Sequence, residues 1–499
     1  MTVKEAAQEI AKSFAGLSDE DVKKLQEQTA TDTSYVQLMN ADTEIAGLEQ
    51  QAKAFEFHGY LRSGFGLNSV GGQQVAFQAP GAGAKYRPGN EAETYGEFTF
   101  VNNWINPTHA PGSTWIKSQI TIEANTSNSA NYANFAGGIG NDQFRLREAY
   151  VEAGNVIPSN PGATFWAGEQ YYRRYYIYVD DFYVLDMSGY GAGVQDFNLK
   201  FGKLAVAFLG GARPDIVTNL GNYAKSNIDV RLYGVKVPEG RLALWYDYAD
   251  AKGGTETNGT IIPTADGADF GIRHTRTELH GGFNTFSVEY GKGVASDFST
   301  ALENPTAFLK HGETLLMQEN FLIQPNQSFA IMPLFIYQWT RDGNPKDGPA
   351  QWYSFGARPE VFFTKHLSLA FDSGFDRVTT SSGLQTGWLR KISIAPQIGA
   401  GRLFMSRPVL RFFVTYANWS DGLRGYVGGG PIREQNERPH LRRANRNVVV
   451  ADFAMNREGD SDEYSGKNRI ECVNGADQQH RVRIHCGGFR RVGRTFVWL

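Results

Sequence analysis

Cysteine is nearly missing from this chain: only Cys472 and Cys486 occur among 499 residues. A disulfide framework is therefore not what holds it together. His480 and His485 lie near those cysteines, but the spacing matches no zinc pattern, and nothing in the sequence calls for a metal or another cofactor. Long apolar runs are missing as well. That excludes a helical membrane span, but not a spanning barrel, whose strands each need only about ten residues of alternating hydrophobicity. Nor is there an excess of either charge. With a formal net charge of −3, no overall basic field argues for nucleic acid. The opening residues, MTVKEAAQEIAKSFAGL, show no apolar core followed by a cleavage site, so no secretory leader is expected there. GYGAGVQDF lacks the strand-to-helix context of a phosphate loop.

What the chain does have is glycine and aromatics: 56 Gly, 33 Phe, 23 Tyr and 9 Trp. Such residues in alternating segments suit strands and turns rather than helices. Residues 1–54 differ, being rich in Ala, Glu, Gln, Lys and Asp, and are expected to be a helical, periplasmic extension. A short coiled-coil stalk and a solvated lead-in both fit that stretch.

From Phe55 a period of two sets in, and 55–499 reads as one β unit, atypical from about 425 onward. In FEFHGYLRSGFG one face carries Phe55, Phe57, Leu61 and Phe65; the other carries Glu56, His58, Tyr60 and Arg62. Tyr95 shares a face with Glu93 and Glu97, and Phe283 with Thr285, Ser287 and Glu289. These three rings stand on polar faces, where a lipid anchor would be wasted. Tyr246 and Tyr248, on the apolar face of RLALWYDY, read instead as part of a girdle at the membrane boundary. Long polar loops separate the strands, which suits an up-and-down barrel. Arginine then crowds PIREQNERPHLRRANRN and HRVRIHCGGFRRVGR, where the alternation fades. A basic tail, a divergent loop and a shifted reading frame all fit that region.

The segments FEFHGYLRSG, KYRPGNEAETYGE, FRLREAYVEAGN, WAGEQYYRRYYIYVDDFYVLDMSGYGAG and SRPVLRFFVTYANW, in this order, resemble the maltoporins. These are sugar-selective trimeric porins of Gram-negative outer membranes. The resemblance runs from about Phe55 to Trp419. It implies an all-β fold, a large antiparallel transmembrane barrel of about eighteen strands with a loop folded inward to narrow the pore. It also implies a passive channel, not an enzyme, that passes maltose and α-glucan oligosaccharides along a slide of aromatic rings flanked by ionic residues.

Carried over residue by residue, the slide comprises Tyr60, Tyr95, Phe283, Met405 and Trp498. The ionic track and constriction comprise Arg62, Arg87, Glu97, Arg147, Arg174, Asp181, Tyr183 and Asp186. The chemistry suits the ligand: aromatic faces contact the C–H patches of a sugar ring, and charged groups hydrogen-bond its hydroxyl rim. Some positions depart from the family. Met405 stands where a slide tryptophan is expected, so that either this rung is weakened or Phe404 beside it substitutes by a register shift. Tyr176 replaces an acidic residue of the track. Tyr132 and Phe135 are both candidates for the ring lent to a neighbouring subunit, and Leu499 replaces a terminal aromatic. A sucrose or glucoside porin and a general diffusion porin are the near alternatives. A secreted β-rich carbohydrate-binding protein or glycoside hydrolase, with Asp181 and Asp186 as a carboxylate pair, is the distant one.

Overall fold

The computed structural model describes residues 23, 53–69, 71–126, 143–212, 224–255, 261–301, 306–428 and 445–456. The expected helical extension lies outside them, save for Lys23 and the helical pair Lys53–Ala54. The strands are β1 (Phe55–Asn68), β2 (Thr94–Ile105), β3 (Trp115–Thr126), β4 (Gln143–Gly154), β5 (Thr164–Gln170), β6 (Arg174–Ile177), β7 (Phe182–Asp186) and β8 (Gly189–Asn198). Then follow β9 (Lys203–Ala212), β10 (Ala224–Val237), β11 (Gly240–Ala251), β12 (Gly254–Thr255), β13 (Ile261–Ile262), β14 (Ala265–Leu279), β15 (Gly282–Gly293) and β16 (Glu313–Asn326). The last are β17 (Phe329–Arg341), β18 (Ala350–Phe362), β19 (Leu367–Thr379), β20 (Thr386–Gly399), β21 (Val409–Trp419) and β22 (Asn445–Asn456).

Eighteen of these form one antiparallel sheet in which each strand pairs with the next, and β22 returns to pair with β1. The sheet is a closed barrel. Only the hairpins β6–β7 and β12–β13 stand apart from it. At one end the connections are short, from two residues at 238–239 to nine at 106–114; at the other they run from six at 380–385 to twenty-five at 69–93. Trp498 and Leu499, at the end of the sequence, lie outside the described residues. Among the described residues the ring is closed by 445–456.

The polarity of the wall is the reverse of a soluble protein. On β20 the inward residues Lys391, Ser393 and Gln397 are 0–2 % exposed, while Ile392, Ile394 and Ile398 point out at 46–49 %. On β19 Asp372 and Asp376 are buried and Leu367 and Phe371 exposed. Tyr246 and Tyr248 also point outward, as read from their phase. An oily exterior around a charged interior is what a strand in lipid needs, since hydrocarbon satisfies no polar group.

Long connections fill part of the lumen. The 69–93 loop folds inward, burying Phe77 and Tyr86. Tyr86 exchanges a 3.0 Å hydrogen bond with Ser354 on β18, and the Lys391 ammonium donates to the carbonyls of Tyr86 and Pro88. The tyrosine ring rests on a floor without side chains, where β18 and β19 pair Gly356 with Gly374. A Cβ at Gly374 would sit 2.1 Å from a ring carbon of Tyr86.

Replacing Gly374 by Val should therefore overpack this contact and destabilise the barrel by ~1–3 kcal/mol. The expected readout is a lower urea midpoint in refolding titrations into detergent micelles followed by tryptophan fluorescence. A midpoint equal to that of the parent protein would show that the loop does not rest on this floor.

Candidate functional site

The hairpin β6–β7 lies in the connection between β5 and β8, at the long-loop end, and folds into the lumen. Its turn passes through Asp181, whose φ of 59° is in the left-handed region that Asp tolerates better than most residues. The strands pair Arg174 with Asp186 and Tyr176 with Tyr183. Alternation gives the ribbon two faces. Tyr175, Ile177, Phe182 and Leu185 are buried, whereas Arg174, Tyr176, Tyr183 and Asp186 remain open, Tyr183 being 40 % exposed.

The buried face is fixed to the wall across the barrel. Tyr175 meets Trp245 of β11 edge-on at 5.6 Å and accepts a hydrogen bond from Arg231 of β10 at 3.3 Å. Phe182 meets Trp352 of β18 edge-on at 5.2 Å, and Tyr172 donates to Asp229 of β10 at 3.2 Å. Such aromatic pairs contribute about 0.5–1.5 kcal/mol each beyond their buried area. The tip is tied by backbone: the amides of Arg87 and Lys85 donate to the carbonyls of Val179 and Asp180 at 3.2 and 3.1 Å.

On the wall beside this hairpin, register places four of the expected residues together. β1 and β2 pair Tyr60 with Glu97 and Arg62 with Tyr95, so all four side chains share the inner face. The Tyr60 and Tyr95 rings lie 6.0 Å apart, nearly edge to face, and the Arg62 guanidinium sits 5.1 Å over Tyr95. Arg62 is paired with Glu93 at 2.5 Å and with Glu91 at 3.3 Å.

Arg87 joins wall to hairpin. It forms ion pairs with Glu91 and Asp181, both at 3.2 Å, and donates to the hydroxyls of Tyr60 (3.2 Å) and Tyr176. Burial raises the Asp181 carboxyl's pKa, but Arg87 and then Arg62 outweigh that and hold it below its ordinary value. Glu97 makes a second bridge, accepting from Tyr95 and, at 2.9 Å, from Tyr171 at the base of the hairpin. Arg174 is held between the rings of Tyr171 and Tyr183, 3.9 and 4.2 Å from their centres, and donates to Asp186 at 3.2 Å. Arg147 comes inward through a bulge between β3 and β4 and pairs with Glu123, the cross-strand neighbour of Glu97.

Nine of the expected residues thus converge: Tyr60, Arg62, Arg87, Tyr95, Glu97, Arg174, Asp181, Tyr183 and Asp186. Phe283 stands apart from them on β15, with its ring inward and 8 % exposed. Met405 requires a correction. It is 42 % exposed on the turn at 400–408, whereas Phe404 is 3 % exposed and turned inward, edge-on to Tyr178 at 6.2 Å. The Phe404 amide donates to Gln324 of β16 at 3.1 Å, which fixes that orientation, so the inward aromatic of this turn is Phe404. Tyr132, Phe135 and Trp498 lie outside the described residues.

Sequence reasoning gave no role to Glu91, Glu93 or Tyr171. Glu91 and Glu93 continue the alternation that leads into Tyr95 and Glu97, a signal that was present. No periodicity marks Tyr171, which belongs to no strand.

The site is a row of rings bordered by paired charges, suited to binding a polyhydroxylated solute weakly at several points. Solved porins resemble this chain in fold at very low identity. OccD3 (OpdP) of Pseudomonas aeruginosa is 8 % identical, covering 81 % of this chain and 91 % of that one, with a TM-score of 0.40. A BenF-like porin from Pseudomonas fluorescens Pf-5 is 11 % identical, covering 81 % and 99 %, with a TM-score of 0.44. OmpT of Vibrio cholerae, in trimer form, is 8 % identical, covering 80 % and 98 %, with a TM-score of 0.36. The model of the LamB porin family matches residues 55–446, and this chain, an outer-membrane channel rather than an enzyme, belongs to that family.

Proposed function

We propose that this porin carries maltose and maltodextrins across the outer membrane by facilitated diffusion. The observation that carries this reading is the pair Tyr60–Tyr95 on a charged inner face, with Arg62, Arg87 and Glu97 beside it and the Arg174–Asp186 pair on the facing hairpin. Glucose units stack on the rings while the flanking charges exchange hydrogen bonds with their hydroxyls. Several weak, similar contacts let a chain enter and leave, which one deep well would not. Retention of Arg174, Tyr183 and Asp186 favours maltodextrins over sucrose. The working form is a homotrimer, as the family resemblance implies.

In a planar bilayer, maltohexaose should block the ionic current at far lower concentration than sucrose. Tyr60→Ala should raise the half-blocking concentration of maltohexaose about three- to tenfold, the loss of one stacked ring. Comparable block by both sugars would favour a glucoside porin, and steady current indifferent to either would leave a general diffusion porin.

Arg87→Ala removes the cation between Glu91 and Asp181 and leaves Arg62 as the remaining partner of Glu91, a loss of about 1.5–3 kcal/mol. The hairpin tip should loosen, with higher single-channel conductance in KCl and weaker maltohexaose block. If conductance and block both match those of the parent protein, Arg87 does not hold the constriction.

A further inference from the structure

The open face of the hairpin continues past Tyr183 as an alternation of rings and guanidiniums. Arg174 lies against Tyr183, Tyr183 lies 4.8 Å from Tyr176, and Arg87 lies 5.9 Å from the Tyr176 ring centre and 5.4 Å from that of Tyr178. Arg407, on the turn at 400–408, ends the row, 4.9 Å over Tyr178. The cations along it are not equally matched. Arg174 has Asp186, and Arg87 has Glu91 and Asp181. Arg407 donates to the Tyr178 hydroxyl and to the carbonyls of Phe404 (3.2 Å) and Ser406 (2.7 Å), and makes no ion pair among the described residues.

Two more guanidiniums stand behind it. Arg411 of β21 donates to the Tyr178 hydroxyl at 3.4 Å. Arg358 of β18 is 1 % exposed and 5.4 Å from the ring; its Nε pairs with Asp372 at 2.7 Å, and its Nη1 has no hydrogen-bond partner. The acid of this region on β18, Glu360, accepts from Ser368 at 2.7 Å and lies in the field of Arg411, Arg358 and Arg407, with no ion pair to any of them among the described residues. The phenol of Tyr178 registers the resulting field. Burial raises its pKa, but Arg407, Arg411, Arg358 and Arg87 outweigh burial and bring it down to about 7.

We propose that the hairpin tip is a binding station for an acidic saccharide, in which Arg407 takes the carboxylate of a uronic acid unit while Tyr178 contacts the C–H face of its ring. A guanidinium offers two parallel donors to a carboxylate, and the half-buried Tyr178 supplies the flat neighbour. A carboxylate fits better than a phosphate dianion, which needs a second accessible cation, whereas Arg358 is sealed. The proposal rests on the sugar-conducting reading above and extends it from neutral to charged glycans.

Current block in planar bilayers tests it with two probes of equal length, maltotriose and α-1,4-linked trigalacturonate, in 0.1 M and 1 M KCl. Both should block the parent channel, and only the trigalacturonate block should weaken steeply at high salt. Arg407→Gln should raise the half-blocking concentration of trigalacturonate about tenfold and leave that of maltotriose within about twofold, and Arg407→Lys should retain most of the acidic block. Block by maltotriose without block by trigalacturonate overturns the station alone. So does an equal loss of both in Arg407→Gln, which marks a structural role. Should that variant fail to insert, equal salt dependence of the two blocks in the parent channel overturns the station just as well. Block by neither sugar overturns the sugar-conducting reading, and the station with it.

Discussion

An open sheet of eighteen strands would leave two rows of unpaired amides and carbonyls facing hydrocarbon, each group costing several kcal/mol, so the pairing of β22 with β1 is the contact on which the rest depends. It joins the first of the described strands to the last of them and so fixes the ring. β1 also carries Tyr60 and Arg62, which means that the strand completing the barrel positions the first residues of the solute path. Backbone closure and site geometry are thus set by one register.

Closure makes an interior, and the interior must then be filled in a way that leaves a path. Charges that a soluble protein would expose are here turned inward and paired, as with Arg358–Asp372 and Arg231–Asp229. The hairpin β6–β7 divides that interior unevenly. Its apolar face is packed against β10, β11 and β18, and its polar face looks back toward β1 and β2. Arg87 binds a ring of the wall, a ring of the hairpin and two carboxylates, so the separation of wall and hairpin follows from one guanidinium with five donors.

Much of this was legible beforehand. Strict alternation marked the faces of β1, β2, β11 and β15, because side chains on a strand alternate whatever lies around them. The inward-folded loop was implied by the family resemblance that the motif WAGEQYYRRYYIYVDDFYVLDMSGYGAG helps to carry. The Phe404–Met405 pair was harder, since it lies in a turn, where no period says which neighbour faces in. The amide of Phe404 settles it by finding Gln324 on another strand, eighty positions away in sequence. The end of the barrel was left open for a related reason. The arginine-rich region obscures the alternation that would have marked 445–456 as the closing strand.

Alone, the sequence determined which side of each strand is oily, because that choice depends only on residue type and a period of two, while the family resemblance, not the alternation, implied the membrane barrel. Which residues meet was decided by the tertiary structure. Tyr171 reaches Glu97, Tyr176 and Tyr60 share Arg87, and four arginines from three parts of the chain gather round Tyr178. Those meetings depend on where a folded hairpin comes to rest inside the ring, and that position is set by packing against strands far away in sequence, which no local pattern records.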